Sequence, residues 1–358
     1  MPQAGPDRLS SVEQKITTAG AEVPISAFLA REPLVAAAEA DLRSAQESEL
    51  DAERCERIKV IGLYIEAQRT HAVRVLREQI ENDSIQDERV ADERYHEGKG
   101  SHLDVWRTEV LHFQAEDRLD IAVDDERVAR DALALEIGSD ESSILLPALP
   151  LEDVLLDVIW KEFRKFGVTP GGSRLPIGDA VAIALAKRPE IAAAQAEVDA
   201  DADRVRAAQR AGLPQLTAQL GYAYGVDTEL NVNGPAGTVT LAFPLNGRRA
   251  AEAAAARARL GVALAQLAAV QQAATLEVGA AFAALRTDLY RSAAWTPMQA
   301  SRAAKAVADD FYQGKASGSA LLEARRTYDD AAIDAINGSA ALDDAENTWP
   351  LVLGEMPQ

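Results

Sequence analysis

The chain has 358 residues, enough to bury a core in one to three domains. Its 57 acidic and 37 basic residues leave a net charge of -20, which argues against a nucleic-acid partner and suits a solvated acidic surface or a cation-preferring conduit. Abundant alanine and only 5% aromatics favour long helices with small contact residues, and a single cysteine, Cys55, rules out an intrachain disulfide.

The opening stretch MPQAGPDRLSSVEQK lacks the apolar core of a secretory signal, which taken alone points to the cytoplasm. No run of about 18 apolar residues appears anywhere, so no transmembrane helix is expected. Between Leu34 and Leu146 there is no proline. Apolar residues there recur at three- and four-residue steps: Ile58, Ile61, Ile65, then Ala72, Val75, Leu76 and Ile80. This predicts a helix of about 60 residues ending near Tyr95, roughly 90 Å long, which needs a bundle or coiled-coil partner. Gly98 and Gly100 break it. A second helix over about Leu103 to Ile137 folds back antiparallel and ends on Gly138 as its C-cap.

Residues 139–176 mix Pro and Gly around a short amphipathic helix over Leu151 to Phe166, and read as a connector. A further helix over 177–212 follows, ended by Gly212 and Pro214. The period then changes to two. Leu216, Ala218, Leu220, Tyr222 and Tyr224 alternate with small or polar residues. After a loop, VDTELNVNGPAG, the residues Val239, Leu241 and Phe243 alternate in the same way. Two strands of about 8–10 residues fit either a soluble hairpin with one buried face or a transmembrane β-hairpin. Another long Ala-rich helix follows Pro244, with a kink expected at Pro297, and the last helix runs from about Leu321 to Asn347.

The chain repeats itself. ERYHEGKGSHLDVWRTE and DDFYQGKASGSALLEARR share an aromatic, two residues, Gly-Lys, one residue and Ser. Gly98 and Gly314 lie 216 positions apart, and the same offset superposes strand, long helix, turn and helix. The organisation is therefore a first repeat over 1–138, a connector over 139–176, and a second repeat over 177–356 that contains a β-hairpin at 215–245. The glycines supply positive φ at helical-hairpin corners, and Ser101 and Ser317 are N-caps of the returning helices. Three of the four histidines, His96, His102 and His112, cluster near the first corner, but without an H-x3-H pair or a Cys partner they predict no metal site. No phosphate loop, G-x-S-x-G or H-E-x-x-H motif appears, so no enzyme and no cofactor are expected.

Four stretches, which occur in family order along the chain, carry a resemblance to the TolC-like outer membrane efflux proteins, covering nearly all of residues 20–356. They are RPEIAAAQAEVDADADRVRAAQRAGLPQL, VTLAFPLNGRRAAEAAAARARL, RYHEGKGSHLDVWRTEV and DFYQGKASGSALLEARRTYDDA. The resemblance implies a mainly α fold of long antiparallel helical hairpins forming an α-barrel. A small transmembrane β part would join a β-barrel shared by a homotrimer in the outer membrane. Closed barrels and helices are the structures that span lipid, and four strands from each of three chains would close a twelve-stranded pore. The implied function is a passive export conduit in tripartite efflux or type I secretion. Its partners would be a periplasmic adaptor and an inner-membrane pump. A periplasmic adaptor or a soluble coiled-coil scaffold is the alternative.

On this reading Gly98, Ser101, Gly314 and Ser317 form tips that dock the adaptor. Leu216, Leu220, Tyr222, Tyr224, Val239, Leu241 and Phe243 face lipid. Asp104 and Glu323 either project into the lumen, where acidic rings favour cations, or sit on a solvated face favoured by the helix dipole. Arg94 and Arg107 could pair with them. Ala316 and Ala320 stand where the best-known members carry Arg and Asp, so no tight charge-locked gate is expected. The first strand of the earlier hairpin would fall at or before residue 8. The helix before it would lie upstream of Met1. The sequence therefore reads as starting inside the first barrel hairpin, with a signal peptide missing upstream.

Overall fold

The computed structural model describes residues 15–139, 146, 177–211, 213–226, 231–243, 247–291 and 295–355. Strand β1 (Lys15–Pro24) leads into helix α1 (Ile25–His96), and α2 (His102–Ile137) follows the first corner. Then come α3 (Ile177–Lys187), α4 (Pro189–Ala211), β2 (Gln215–Val226), β3 (Asn231–Ala242), α5 (Arg248–Arg291), α6 (Trp295–Tyr312) and α7 (Gly318–Val352). Mainly helical with a small sheet, this is the expected fold class. The chain forms two compact units: residues 1–48 with 190–270, and residues 49–189 with 271–358.

Several boundaries differ from the sequence reading. The expected helix over 177–212 is two helices, because Pro189 disfavours a helical residue before it and suits the first turn of a new helix. The expected loop gives up Asn231 to Gly237 to β3. Pro297, where a kink is expected, lies in the first turn of α6, where a missing N–H leaves no hydrogen bond unmade, and residues 292–294 between α5 and α6 lie outside the described residues. The last helix is longer at both ends and contains Pro350. Alanine richness makes Arg248–Ala284 of α5 long and apolar enough to cross a membrane by length and composition, at mean hydropathy 1.3, although no continuous apolar run marks it. The helix expected over Leu151 to Phe166 lies outside the described residues.

In the first unit the sheet order is β1-β2-β3, antiparallel throughout. The register pairs Leu216 with Leu241, Ala218 with Val239 and Leu220 with Gly237. On the other edge Val23 pairs with Ala218 and Ala21 with Leu220. Directly opposed residues share a face, so the period-2 apolar positions of all three strands lie together. That face is open: Leu220 is 73% exposed and Val239 72%. Tyr222, Leu241 and Phe243 are exposed as well. The adjoining helical part packs on small residues, with Ala37, Ala40, Ala193, Ala196, Ala200 and Ala207 buried. Ion pairs at its edge, Arg204–Asp41 and Arg210–Glu32, are exposed and contribute little each.

The second unit is helix against helix. Ala72 and Leu76 of α1 meet Ala332 and Ile336 of α7, while Ala67 meets Ala129 and Leu133 of α2. Ala180 and Ala184 of α3 pack on Val278, Trp349 and Val352. Small residues at these contacts let helix axes approach closely. The junction of α3 and α4 is held by Arg188, 1% exposed, whose Nε donates to the Val352 carbonyl at 2.8 Å and whose guanidinium pairs with Glu277 at 2.7 Å. Gly354 ends the C-terminal turn at φ 81°, and a Cβ there would lie 2.9 Å from the Arg188 nitrogen. Both the backbone conformation and the space demand glycine. Gly354→Ala is expected to lower unfolding stability by on the order of 2–4 kcal/mol, measured by denaturant titration.

Candidate functional site

The two corners are built alike. At the first, the Arg94 carbonyl accepts Lys99 N–H at 2.8 Å and Gly100 N–H at 2.9 Å. At the second, the Asp310 carbonyl, 216 positions on, accepts Lys315 N–H at 2.7 Å and Ala316 N–H at 3.1 Å. Each turn needs a residue at positive φ, met by Gly98 at 73° and Gly314 at 76°. Ser101 caps α2 by accepting Leu103 N–H, and Ser317 caps α7 by accepting Ala320 N–H.

The corners also touch one another. Arg94 donates to the Phe311 carbonyl at 2.7 Å and lies 4.7 Å above the Phe311 ring. It does not pair with Asp104 or Glu323 as the sequence suggested. Asp104 accepts the Gly318 N–H at 3.2 Å, and a Cβ on Gly318 would fall 2.6 Å from its carboxylate. The carboxylate thus satisfies a first-turn N–H of α7 across the hairpins. Arg107 stands 3.8 Å from Asp104, a contact of the expected kind. Glu323 is exposed. Beside the corners, Ala91, Ala308, Phe311 and Leu321 form one buried cluster.

Below this lies a polar network that the sequence reading missed. Asp87 is 0% exposed; it accepts the Tyr312 hydroxyl at 2.6 Å and Arg325 Nε at 3.1 Å. Arg325 also donates to Asp83 at 2.6 Å. Burial opposes the charge of Arg325, yet Asp87 and Asp83 raise its pKa above the usual guanidinium value. Burial, with Asp87 beside it, pushes the Tyr312 phenol well above its ordinary range. Further along, Asp329 takes Arg77 at 2.5 Å and Arg118 at 2.7 Å. Buried Glu126 is hydrogen-bonded to His71 at 3.0 Å and to Arg74, and Arg130 stands 3.0 Å away as an ion partner without a hydrogen bond. Burial would raise Glu126, but the His71 and Arg74 hydrogen bonds hold it below the usual carboxylate range.

The histidines are all engaged. His112 meets Glu88 at 2.5 Å, His96 lies 3.5 Å from Asp92, and His102 stacks edge-on between Tyr95 and Trp106. Among the described residues no three potential metal ligands come together. One apolar stripe on α2 stays open: Leu103, Trp106, Val110 and Phe113 are each about half exposed.

Residues 180–355 match the family model of outer membrane efflux proteins. No curated protein matches the chain. Solved structures share the fold along almost its whole length. VceC, the outer membrane protein of Vibrio cholerae, is 18% identical with a TM-score of 0.74, covering 96% of this chain and 87% of VceC. The CmeC outer membrane channel of Campylobacter jejuni is 14% identical at 0.73, covering 97% and 78%. The MtrE outer membrane channel of Neisseria gonorrhoeae, in its open state, is 18% identical at 0.68, covering 96% and 80%.

The lowered Glu126 carboxyl fixes a sign. Its contribution to stability is present above the ordinary carboxylate range and is lost as pH falls through its lower folded value. Glu126→Gln should therefore flatten the acid limb of a thermal-stability profile, at and below the ordinary carboxylate range, relative to the parent chain. Tyr312→Phe should cost about 1–2 kcal/mol at neutral pH by leaving Asp87 one donor short, measured by denaturant unfolding.

Proposed function

We propose that this chain, an outer membrane efflux protein over residues 180–355, is the passive exit channel of an efflux or secretion assembly. Its place is the outer membrane, extending into the periplasm. Members of the family are trimeric outer-membrane channels that work with adaptor and inner-membrane pump partners. They are not known as enzymes. The alternative adaptor or scaffold reading is not favoured.

One observation carries the finer reading for this chain: a three-stranded sheet whose period-2 apolar positions share one uncovered face. In water such a face is a liability; against lipid it is stable. Leu216, Leu220, Tyr222, Val239, Leu241 and Phe243 would meet acyl chains, with Tyr222 toward one interface. A sheet of few strands has open edges, and neighbouring copies in a homotrimer would pair them. The exposed α2 stripe gives those copies a second apolar surface to bury. The corners at Gly98–Ser101 and Gly314–Ser317 are the docking tips for a periplasmic adaptor. Asp104 serves there chiefly by joining the hairpins, with Arg107 beside it on α2, and Glu323 offers its carboxylate to passing cations. The repeats at 1–138 and 177–356, linked through 139–176, each supply one tip.

Detergent-extracted chain is expected to have the mass of a trimer by light scattering and to conduct ions in planar bilayers. A monomer that fails to conduct would defeat the channel reading. Gly314→Val should reduce export in cells while leaving trimer mass unchanged, since it distorts a tip and not the sheet.

A further inference from the structure

The charges where α7 meets α1 and α2, with Asp87 and Asp329 buried, Arg77 and Arg325 half-buried, and Asp83 and Arg118 at the exposed edge, are ordered in a way that packing alone does not require. Helix α7 offers a cation, Arg325, and one turn later an anion, Asp329. Arg325 enters an acidic socket made by Asp83 and Asp87, closed by the Tyr312 hydroxyl. Asp329 enters a basic socket made by Arg77 and Arg118. The rest of the seam is Ala72, Leu76, Ala332 and Ile336, flanked by Ala91 and Leu321. Such small and aliphatic contacts discriminate weakly between registers one turn apart.

We propose that the two sockets, the basic one shared by Arg77 of α1 and Arg118 of α2, form a two-sided register lock that fixes the α6–α7 hairpin against the α1–α2 hairpin. A slide of one turn, about 5.4 Å, in one sense carries Asp329 into the acidic socket. The opposite slide carries Arg325 into the basic socket. Each misregister puts like charges together and strands an original partner, at the cost of leaving buried Asp87 or Asp329 without its cation. A buried ion pair adds little over a well-packed apolar pair, whereas a polar group that specifies register is its best-attested use. The consequence lies at the end of the molecule: the lock sets the Gly98 and Gly314 corners level, so that Arg94 reaches Phe311 and Asp104 reaches Gly318. The lock rests on these interhelical contacts and stands independently of the export function.

Exchanging the two α7 charges, R325D with D329R, keeps composition and inverts the code. Nitroxide labels at Arg89→Cys and Asp334→Cys, in a Cys55→Ser chain diluted with unlabelled protein, report the register by pulsed electron resonance. The parent chain should give one distance. In the exchanged chain that distance should lengthen by about 5 Å, because a one-turn slide delivers the new carboxylate at position 325 to Arg77 and Arg118. A shortening of the same size is the opposite slide and also supports the lock. An unchanged distance in a fully helical chain overturns it. Should the exchanged chain lose its helical circular dichroism, R325Q with D329Q decides. A neutral variant that folds shows that the sockets discriminate sign, and equal loss in both variants overturns the proposal.

Discussion

Arg94 works at both corners of the helical hairpins. Its carbonyl closes the first corner by accepting two N–H groups, and its guanidinium holds the second through the Phe311 carbonyl and ring. Hairpin corners are otherwise weakly held places, because a turn exposes its polar backbone and buries little. Here the backbone of each turn is satisfied internally, and one cation spans the gap between the turns. Charge-assisted donation to a carbonyl is stronger than a neutral bond, and the aromatic face shields it from water. The anchorage ties the two corners together at the tip of the helices that descend from them.

Away from the corners, alanine sets the geometry. Buried alanines at 67, 72, 91, 129, 308 and 332 keep the helices close without fixing their relative slide or rotation. Specificity falls to a few large or charged residues. Phe311, Leu76, Leu321 and Ile336 fill the remaining volume, and Asp87, Asp329, Glu126 and Arg188 supply direction. The division makes physical sense: dispersion between small groups is smooth in position, whereas buried hydrogen bonds are not. The aliphatic residues bring the helices together, and the charged ones choose among the ways of doing so.

Much of this was legible in the sequence. The 216-residue offset located both corners, and the two share a carbonyl acceptor, a positive-φ glycine and a serine cap. β1 also follows the offset, since Lys15 corresponds to Asn231 at the start of β3. Alternation identified the face shared by Leu216, Leu220, Val239 and Leu241. The interhelical network was not read, although its signal was present: Asp87 occupies a seam position between Leu76 and Ala91 where an apolar residue belongs. Its partners, Tyr312 and Arg325, lie more than 200 positions away, and only the packing of the two repeats brings them together. Arg188 and Gly354 were invisible for the same reason.

The sheet register carries a kinetic consequence. β2 and β3 are joined by a few residues and can pair as soon as both have left the ribosome. β1 pairs with β2 across roughly 200 residues of chain, so its loop closure is among the costliest in the molecule. During that interval the N-terminal strand has a bare edge and an apolar face, as does the waiting hairpin. A chain built this way depends on something that shelters both until they meet, and its vulnerability to misassembly is concentrated in the time between the two pairings.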